Sequence, residues 1–332
     1  MSSAVQAESG EIREAKKTNS LLSIFKYREM NILTVLIIIG IFISLFSPYF
    51  LTMNNIMGVT RSVSITAIMA IGMTMVIITG GIDLSVGSVM GLASLMTALS
   101  FQHGYPTVVA IAVGLIVGVV SGLINGLLIT KVNLPPFIAT LGTLSIGRGL
   151  IYIITEGFPI TPDVPAAYSF IGQGYLGFVP LPVVAMLILM VVFTVIMSRT
   201  RYGRHVYAIG GNEIAAKLSG VKTDRTKILV YVLSGTISAV AGIILFARLS
   251  SAEPASGFGA ELDVIAASAI GGASLSGGYG SIVGAIIGAA LIGVISNGIV
   301  LLNINTYAQQ AITGLVILIA VSIDMWRSKR KG

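Results

Sequence analysis

The sequence predicts an all-α, polytopic membrane protein of about ten transmembrane helices, one of them short or broken. Three observations predict it. Of the 332 residues, 55% are apolar and only 10% charged, where soluble domains carry about a quarter charged residues. Apolar runs recur at close to the roughly 20 residues a helix needs to cross the hydrocarbon. Sixteen of the 20 Lys and Arg residues fall in three short polar segments: the N-terminal tail to about Met30, the stretch 199–227, and the C-terminal 326–332. The gaps 155–181 and 251–263 instead carry five acids and no Lys or Arg. Short loops rich in Lys and Arg stay in the cytoplasm. Both chain ends and the 199–227 loop are therefore expected inside.

The apolar runs cover residues 32–46, 62–79, 84–101, 106–130, 137–154, 182–197, 228–247, 282–302 and 306–323. The first is too long for a signal-peptide core and reads as an uncleaved span. It leaves 1–31 as a cytoplasmic tail, 32–325 as the transmembrane domain and 326–332 as a basic cytoplasmic tail. Nine crossings have the wrong parity for two cytoplasmic ends. Six bring the chain to the basic loop, so the second half needs an even number. The missing crossing is expected from the short segment 261–272, completed by the Gly-rich stretch 271–280.

Two Gly-rich breaks interrupt the pattern, one over 80–87 and one over 271–278. Irregular backbone at membrane depth survives only when buried in protein or lining a wet cavity. Each break follows an apolar helix and precedes a Gly/Ala-rich one, a pattern that suggests two related halves. Asp83 is expected to cap the helix that begins at Leu84, which would set Asp83, Ser85 and Ser88 beside a solute path. Asn125 and Asn297 lie inside Gly-lined spans, where an amide bonds a neighbouring helix or meets a passing hydroxyl. Gly114, Gly118, Gly122 and Gly126, like Gly284 and Gly288, recur every four residues and are expected to let helices of one chain approach closely. Arg61 and Arg248 are expected to snorkel at span ends. Arg148, mid-span, needs a buried partner or a water-filled cavity.

Several function classes are excluded. There is no cysteine, so no disulfide or thiolate metal site. No Gly is followed by Lys, so no phosphate-cradling Walker A loop exists, and neither HExxH nor GxSxG occurs. No catalytic residue, cofactor or metal site is expected. The net charge of +7 flanks apolar spans, so membrane lipid accounts for it and nucleic acid is not needed. Asp83 is the only acid near an intramembrane break, so a pumped solute would draw its energy from another polypeptide.

The basic loop carries its own signals. Asn212 suits an N-cap and Glu213 the positive end of a helix. A short helix over 213–218 is expected, ended by Gly220 in the left-handed conformation. Such a compact, capped element suits docking to a cytoplasmic partner.

Glu213, Ala215-Ala216 and Gly220 resemble the EAA-x3-G loop of ATP-binding-cassette (ABC) importer permeases, with Ile214 inserted between the Glu and the alanines. Tyr202-Gly203-Arg204 followed by Ala208-Ile209-Gly210 fits the same branch. The segment 79–88, Pro136 to Gly142, Gly147-Arg148-Gly149, and Gly271-Gly272-Ala273-Ser274 with Gly277-Gly278-Tyr279-Gly280 are similar to ribose/xylose/galactose-type sugar permeases. The likeness covers about residues 30–325. It implies an ABC importer permease fold without its own ATPase site, in a prokaryotic cell membrane. It implies a cytoplasmic ATP-binding subunit, separate or as two fused modules, docked on Arg204, Asn212, Glu213, Ala215, Ala216 and Gly220. An extracytoplasmic solute-binding protein would sit on the acidic side, and a second permease copy or paralogue, a homodimer in the simplest case, would complete the path. A permease for another solute such as branched-chain amino acids, and a secondary carrier or channel, stay open as alternatives.

Overall fold

The computed structural model describes residues 28–305 together with 308, 311–315, 318 and 322. Nearly all of the expected N-terminal tail, most of the span at 306–323 and all of 326–332 lie outside these residues. The helices are α1 (Arg28–Phe46), α2 (Met53–Ile78), α3 (Val86–Gln102), α4 (Thr107–Thr130), α5 (Pro136–Thr155), α6 (Ala166–Gln173), α7 (Leu181–Arg199), α8 (Arg201–Gly211), α9 (Glu213–Leu218), α10 (Thr223–Leu249), α11 (Ala260–Ile270) and α12 (Ile282–Leu301). Between α6 and α7 lies a small antiparallel hairpin of β1 (Tyr175–Leu176) and β2 (Val179–Pro180).

Among the described residues seven helices are long and apolar enough to cross a membrane: α1, α2, α4, α5, α7, α10 and α12. The expected third span is α3, with 17 residues, and the expected short crossing is α11, with 11. Each of these short helices abuts a Gly-rich break, so irregular backbone replaces helical turns there.

The two breaks open in the same way. Gly80 (φ 79°) donates to the Ile77 carbonyl and Gly81 to Val76. Gly272 (φ 95°) donates to Ala269 and Ala273 to Ser268. This pair of bonds is the Schellman motif, and its left-handed residue carries no steric penalty when it is glycine.

The bundle is organised around α10, which packs along α4, α3 and α2. Its contact with α4 runs antiparallel through the glycine row: Gly114 meets Ile243, Gly118 meets Gly235, Gly122 meets Tyr231 and Gly126 meets Ile228. Gly284 and Gly288 of α12 sit likewise on the Gly271 and Ala267 carbonyls at the end of α11. The glycine rows thus serve packing within one chain, where lipid gives helices no hydrophobic reason to associate and close contact must supply it. Helix α2 is buried from Ser64 to Ile78 apart from Thr66, as befits a helix apolar all round.

The two acidic gaps meet at one end of the bundle. Ile160 and Ala252 exchange backbone hydrogen bonds of 3.1 and 2.9 Å. Helix α6 is anchored there by Tyr168, whose hydroxyl donates to the Ile243 carbonyl at 2.8 Å and whose ring packs on Phe101 and Phe246. The basic loop lies at the opposite end, with Ile78, Lys131 and the start of α10.

Candidate functional site

At the basic end the loop 199–227 folds into two helices, not the one expected. Helix α8 is capped by Thr200, whose hydroxyl accepts from the Gly203 N–H at 3.2 Å. Its signals were a capping Thr before Arg201 and buried Val206 and Ile209 at helical spacing. Three glycines of low helix propensity mask them. Helix α9 has the expected bounds and caps: Asn212 Oδ1 accepts from Ala215 N at 2.9 Å, and Gly220 follows the helix with φ 84°. Glu213 pairs with Lys227 at 2.6 Å, which ties α9 to the start of α10. Ala216 is buried, while Arg204, Asn212, Glu213 and Ala215 face out. The inserted Ile214 and its i+4 neighbour Leu218 are 75% and 84% exposed, an apolar ridge on the outside of the loop.

The end of α8 is wedged between the two breaks. Gly210 lies against the Ile78 carbonyl and the Gly278 N–H, with no room for a Cβ. Gly278 N donates to Ile78 O at 2.9 Å, and Gly277 packs on Gly80. Tyr207, also on α8, donates to the Gly280 carbonyl at 2.9 Å. Burial, and then the nearby Tyr279, raise the Tyr207 pKa, so its phenol remains a donor. One short helix therefore touches the end of α2 and the turn that follows α11.

Above this joint the first break is held by a buried polar chain. Asp83 Oδ1 accepts from Ser85 N at 3.0 Å and from Ser85 Oγ at 2.6 Å, and Oδ2 accepts from Ser234 of α10 at 2.8 Å. Asn125 of α4 donates to Ser85 Oγ at 2.9 Å and accepts from Thr143 of α5 at 2.5 Å. Thr140 of α5 also reaches the Ile82 carbonyl at 3.2 Å. The donors line up toward one carboxylate, an arrangement in which each bond polarises the next. Hydrogen bonds to a charged group contribute about 1.5–3 kcal/mol each, which offsets taking Asp83 out of water. The helix begins at Val86, later than expected, because Asp83 closes a turn on Ser85 before the first helical residue. Ser88 bonds the Ser85 carbonyl and lines an apolar cavity of about 410 Å³ between α3, α4 and α5.

Asn297 belongs to a different place. It exchanges two amide hydrogen bonds with Asn55, at 3.1 and 2.8 Å, across α2 and α12. The pair lines a polar cavity of about 450 Å³ at the acidic end, together with Asn54, Ser62, Thr66 and Ser296. Arg248 and Asp263 face the same cavity. Arg61 and Arg248 do not simply snorkel: Arg61 donates to the Gln173 carbonyl at 2.7 Å and lies 4.6 Å from the Tyr175 ring centroid, and Arg248 donates to Ser62 at 3.0 Å. Arg148 finds its partners in the loop before α11 and at the start of that helix. It donates to Ser256 O at 2.6 Å and lies over Phe258, with Glu261 close by.

The structure thus joins Asp83, Ser85 and Asn125, places Ser88 next to them, and sets Asn297 apart. The loop 199–227 forms a third group. Sequence reasoning missed Tyr207 and Gly210 of the joint, and Asn55, whose asparagine partner is 242 positions away.

Residues 55–321 match the family described as branched-chain amino acid transport system / permease component. The ribose import permease protein RbsC of Bacillus subtilis (strain 168) is 48% identical over 295 residues, covering 88% of this chain and 91% of that protein. RbsC of Haemophilus influenzae is 40% identical over 95% of this chain and 98% of its own length. The L-arabinose transport system permease protein AraH of Escherichia coli (strain K12) is 38% identical over 91% and 92%. No solved structure matches the chain.

Proposed function

Because the chain belongs to the branched-chain amino acid transport system / permease component family, we propose that it is the permease subunit of an ABC importer for a ribose-type monosaccharide. The observation that carries this reading is the 48% identity to a ribose import permease over nearly the whole chain. The family description names branched-chain amino acids, but the RbsC relatives at 40–48% identity and AraH at 38% are named for ribose and arabinose.

In this reading the chain has no ATPase site and is driven by a cytoplasmic ATP-binding subunit. The docking element is α9, presented by Asn212, Glu213, Ala215, Ala216 and Gly220 with Arg204 beside it, and the exposed Ile214 and Leu218 form its apolar contact. Closure of the partner pushes α9, and α8 passes the displacement to both breaks through Gly210 and Tyr207. Asp83, Ser85 and Asn125 keep the first break in shape while the bundle switches between inward- and outward-facing states, with Ser88 beside them on the solute side. A ligand that binds one state better shifts the population toward it; here that ligand is nucleotide on the partner.

The paired loops at the acidic end, with exposed Glu156, Asp163 and Glu253, receive a solute-binding protein outside the cell membrane. A second copy of the chain completes the path. The domains are a cytoplasmic tail at 1–31, a ten-helix permease at 32–325 with its coupling loop at 199–227, and a basic cytoplasmic tail at 326–332. Ser219→Cys and Asp163→Cys test the topology, since both positions are exposed. Impermeant thiol reagent should label Asp163→Cys from outside and Ser219→Cys only after permeabilisation. Labelling of both from one side would refute it.

The function itself is tested by gentle purification from the native membrane. A stoichiometric ATP-binding subunit should accompany the chain. Purification alone, in a form that moves ribose without ATP, would replace the importer by a carrier.

A further inference from the structure

The polar cavity at the acidic end has no part in the coupling described above. Its lining is mainly polar, unlike the apolar cavity beside Ser88. Three of its lining side chains, Asn54, Thr66 and Ser296, hold no hydrogen bond to another described residue. Around them stands the Asn55–Asn297 pair, in which each amide donates one N–H to its partner's oxygen; Asn55 gives its second N–H to the Phe50 carbonyl, whereas Asn297 keeps its second donor. None of these groups is cut off from water, so a polar occupant can replace that water bond for bond.

Two further features restrict that occupant. Arg248 and Asp263 bring opposite charges to the same cavity, so its charged lining sums to zero and favours neither anion nor cation. The volume of about 450 Å³ lies within the roughly 300–1,000 Å³ of small-molecule sites. Its walls are the first half of α2 and the second half of α12, helices that lead from this end toward the two breaks.

We propose that this cavity is a sugar-binding station within the permease chain: Asn54, Asn55, Thr66, Ser296 and Asn297 hydrogen-bond the hydroxyls of a neutral monosaccharide after its release from the binding protein. This rests on the importer reading given above and adds to it where the sugar is held. Asparagine amides and hydroxyls offer donors and acceptors together, which matches a sugar hydroxyl that both donates and accepts. Val59, Val63, Ile292 and Val300 complete the lining, and at the polar groups the sugar exchanges water contacts for protein contacts with little net gain. A conducting site must bind enough to admit the solute and loosely enough to release it.

The test uses the whole importer, this chain with its ATP-binding subunit and sugar-binding protein, in proteoliposomes supplied with ATP and radiolabelled D-ribose. Three variants are compared with the wild type: Thr66→Val and Ser296→Ala, which remove a hydroxyl without breaking an internal bond, and Ser296→Phe, which fills the cavity. Thr66→Val and Ser296→Ala should each slow uptake about threefold, the order expected for one lost hydrogen bond. Ser296→Phe should slow it by about tenfold or more, the sugar having lost its space as well as its contacts. Thermal unfolding of Thr66→Val and Ser296→Ala should match the wild type, which a merely structural role would not allow together with slower uptake. Wild-type uptake rates in both of these variants would overturn the proposal, even if Ser296→Phe failed to fold. A wild-type importer that moves no monosaccharide at all would instead overturn the importer reading, before any variant is measured.

Discussion

The two ends of this molecule are built on opposite principles. At the basic end, helix α8 meets both breaks through glycine and backbone, and Gly210 has no room for a methyl group against Ile78 and Gly278. At the acidic end, mostly polar side chains stand around a cavity of about 450 Å³. A close-packed contact transmits displacement because it has no slack. A roomy polar one cannot transmit, but it can accommodate a hydrated solute. In the proposed reading, the difference separates a joint that moves from a space that the sugar fills.

The largest expected effect lies at the joint. Gly210→Val should destabilise the protein by about 3 kcal/mol through overpacking and abolish uptake, measured by thermal unfolding and by sugar accumulation. A folded Gly210→Val protein with normal uptake would show that α8 does not carry the motion. Next comes the polar chain. Asp83→Ala leaves the Ser85 N–H and the Ser234 hydroxyl without their acceptor and should cost about 1–3 kcal/mol. Asp83→Asn should cost less, since the amide oxygen still accepts from Ser85 and the Ser234 hydroxyl can turn to accept from the amide. Equal unfolding temperatures for the two variants would assign the effect to charge, not to acceptor geometry.

The docking ridge should separate coupling from stability altogether. Ile214→Glu with Leu218→Glu changes exposed positions, so stability should shift by only about 0.5 kcal/mol while sugar-stimulated ATP hydrolysis is lost. Retained stimulation would remove the ridge from the interface. The smallest effect is expected at Lys131–Asp224, a pair of 2.8 Å whose side chains are 58% and 46% exposed. Asp224→Asn should cost about 0.5 kcal/mol or less in thermal unfolding and leave uptake unchanged.

Local chemistry was legible in the sequence, and distant pairing was not. Asn212, Glu213 and Gly220 announced α9 because capping is decided within a few residues. The glycine rows of α4 and α12 announced close packing, since only small residues permit it. Helix α8 was hidden by Gly203, Gly210 and Gly211, whose low helix propensity is overridden at Gly203 and Gly210 by their close approach to other backbones. Asp83 was legible as a helix-start residue, but its bond to Ser234 joins positions 151 apart. The Asn55–Asn297 pair spans a still longer separation, and no periodicity connects them. The short crossing was legible because segment 261–272 is too brief to span alone: α11 stops at the break, where Gly272 turns the chain.

In the proposed reading, the basic end receives ATP-driven motion and the acidic end receives sugar. The most direct measurement is D-ribose uptake by proteoliposomes containing this chain, with the ATP-binding subunit, the sugar-binding protein and ATP each omitted in turn. The account predicts accumulation only when all three are present. Accumulation by the chain alone, without ATP, would contradict it.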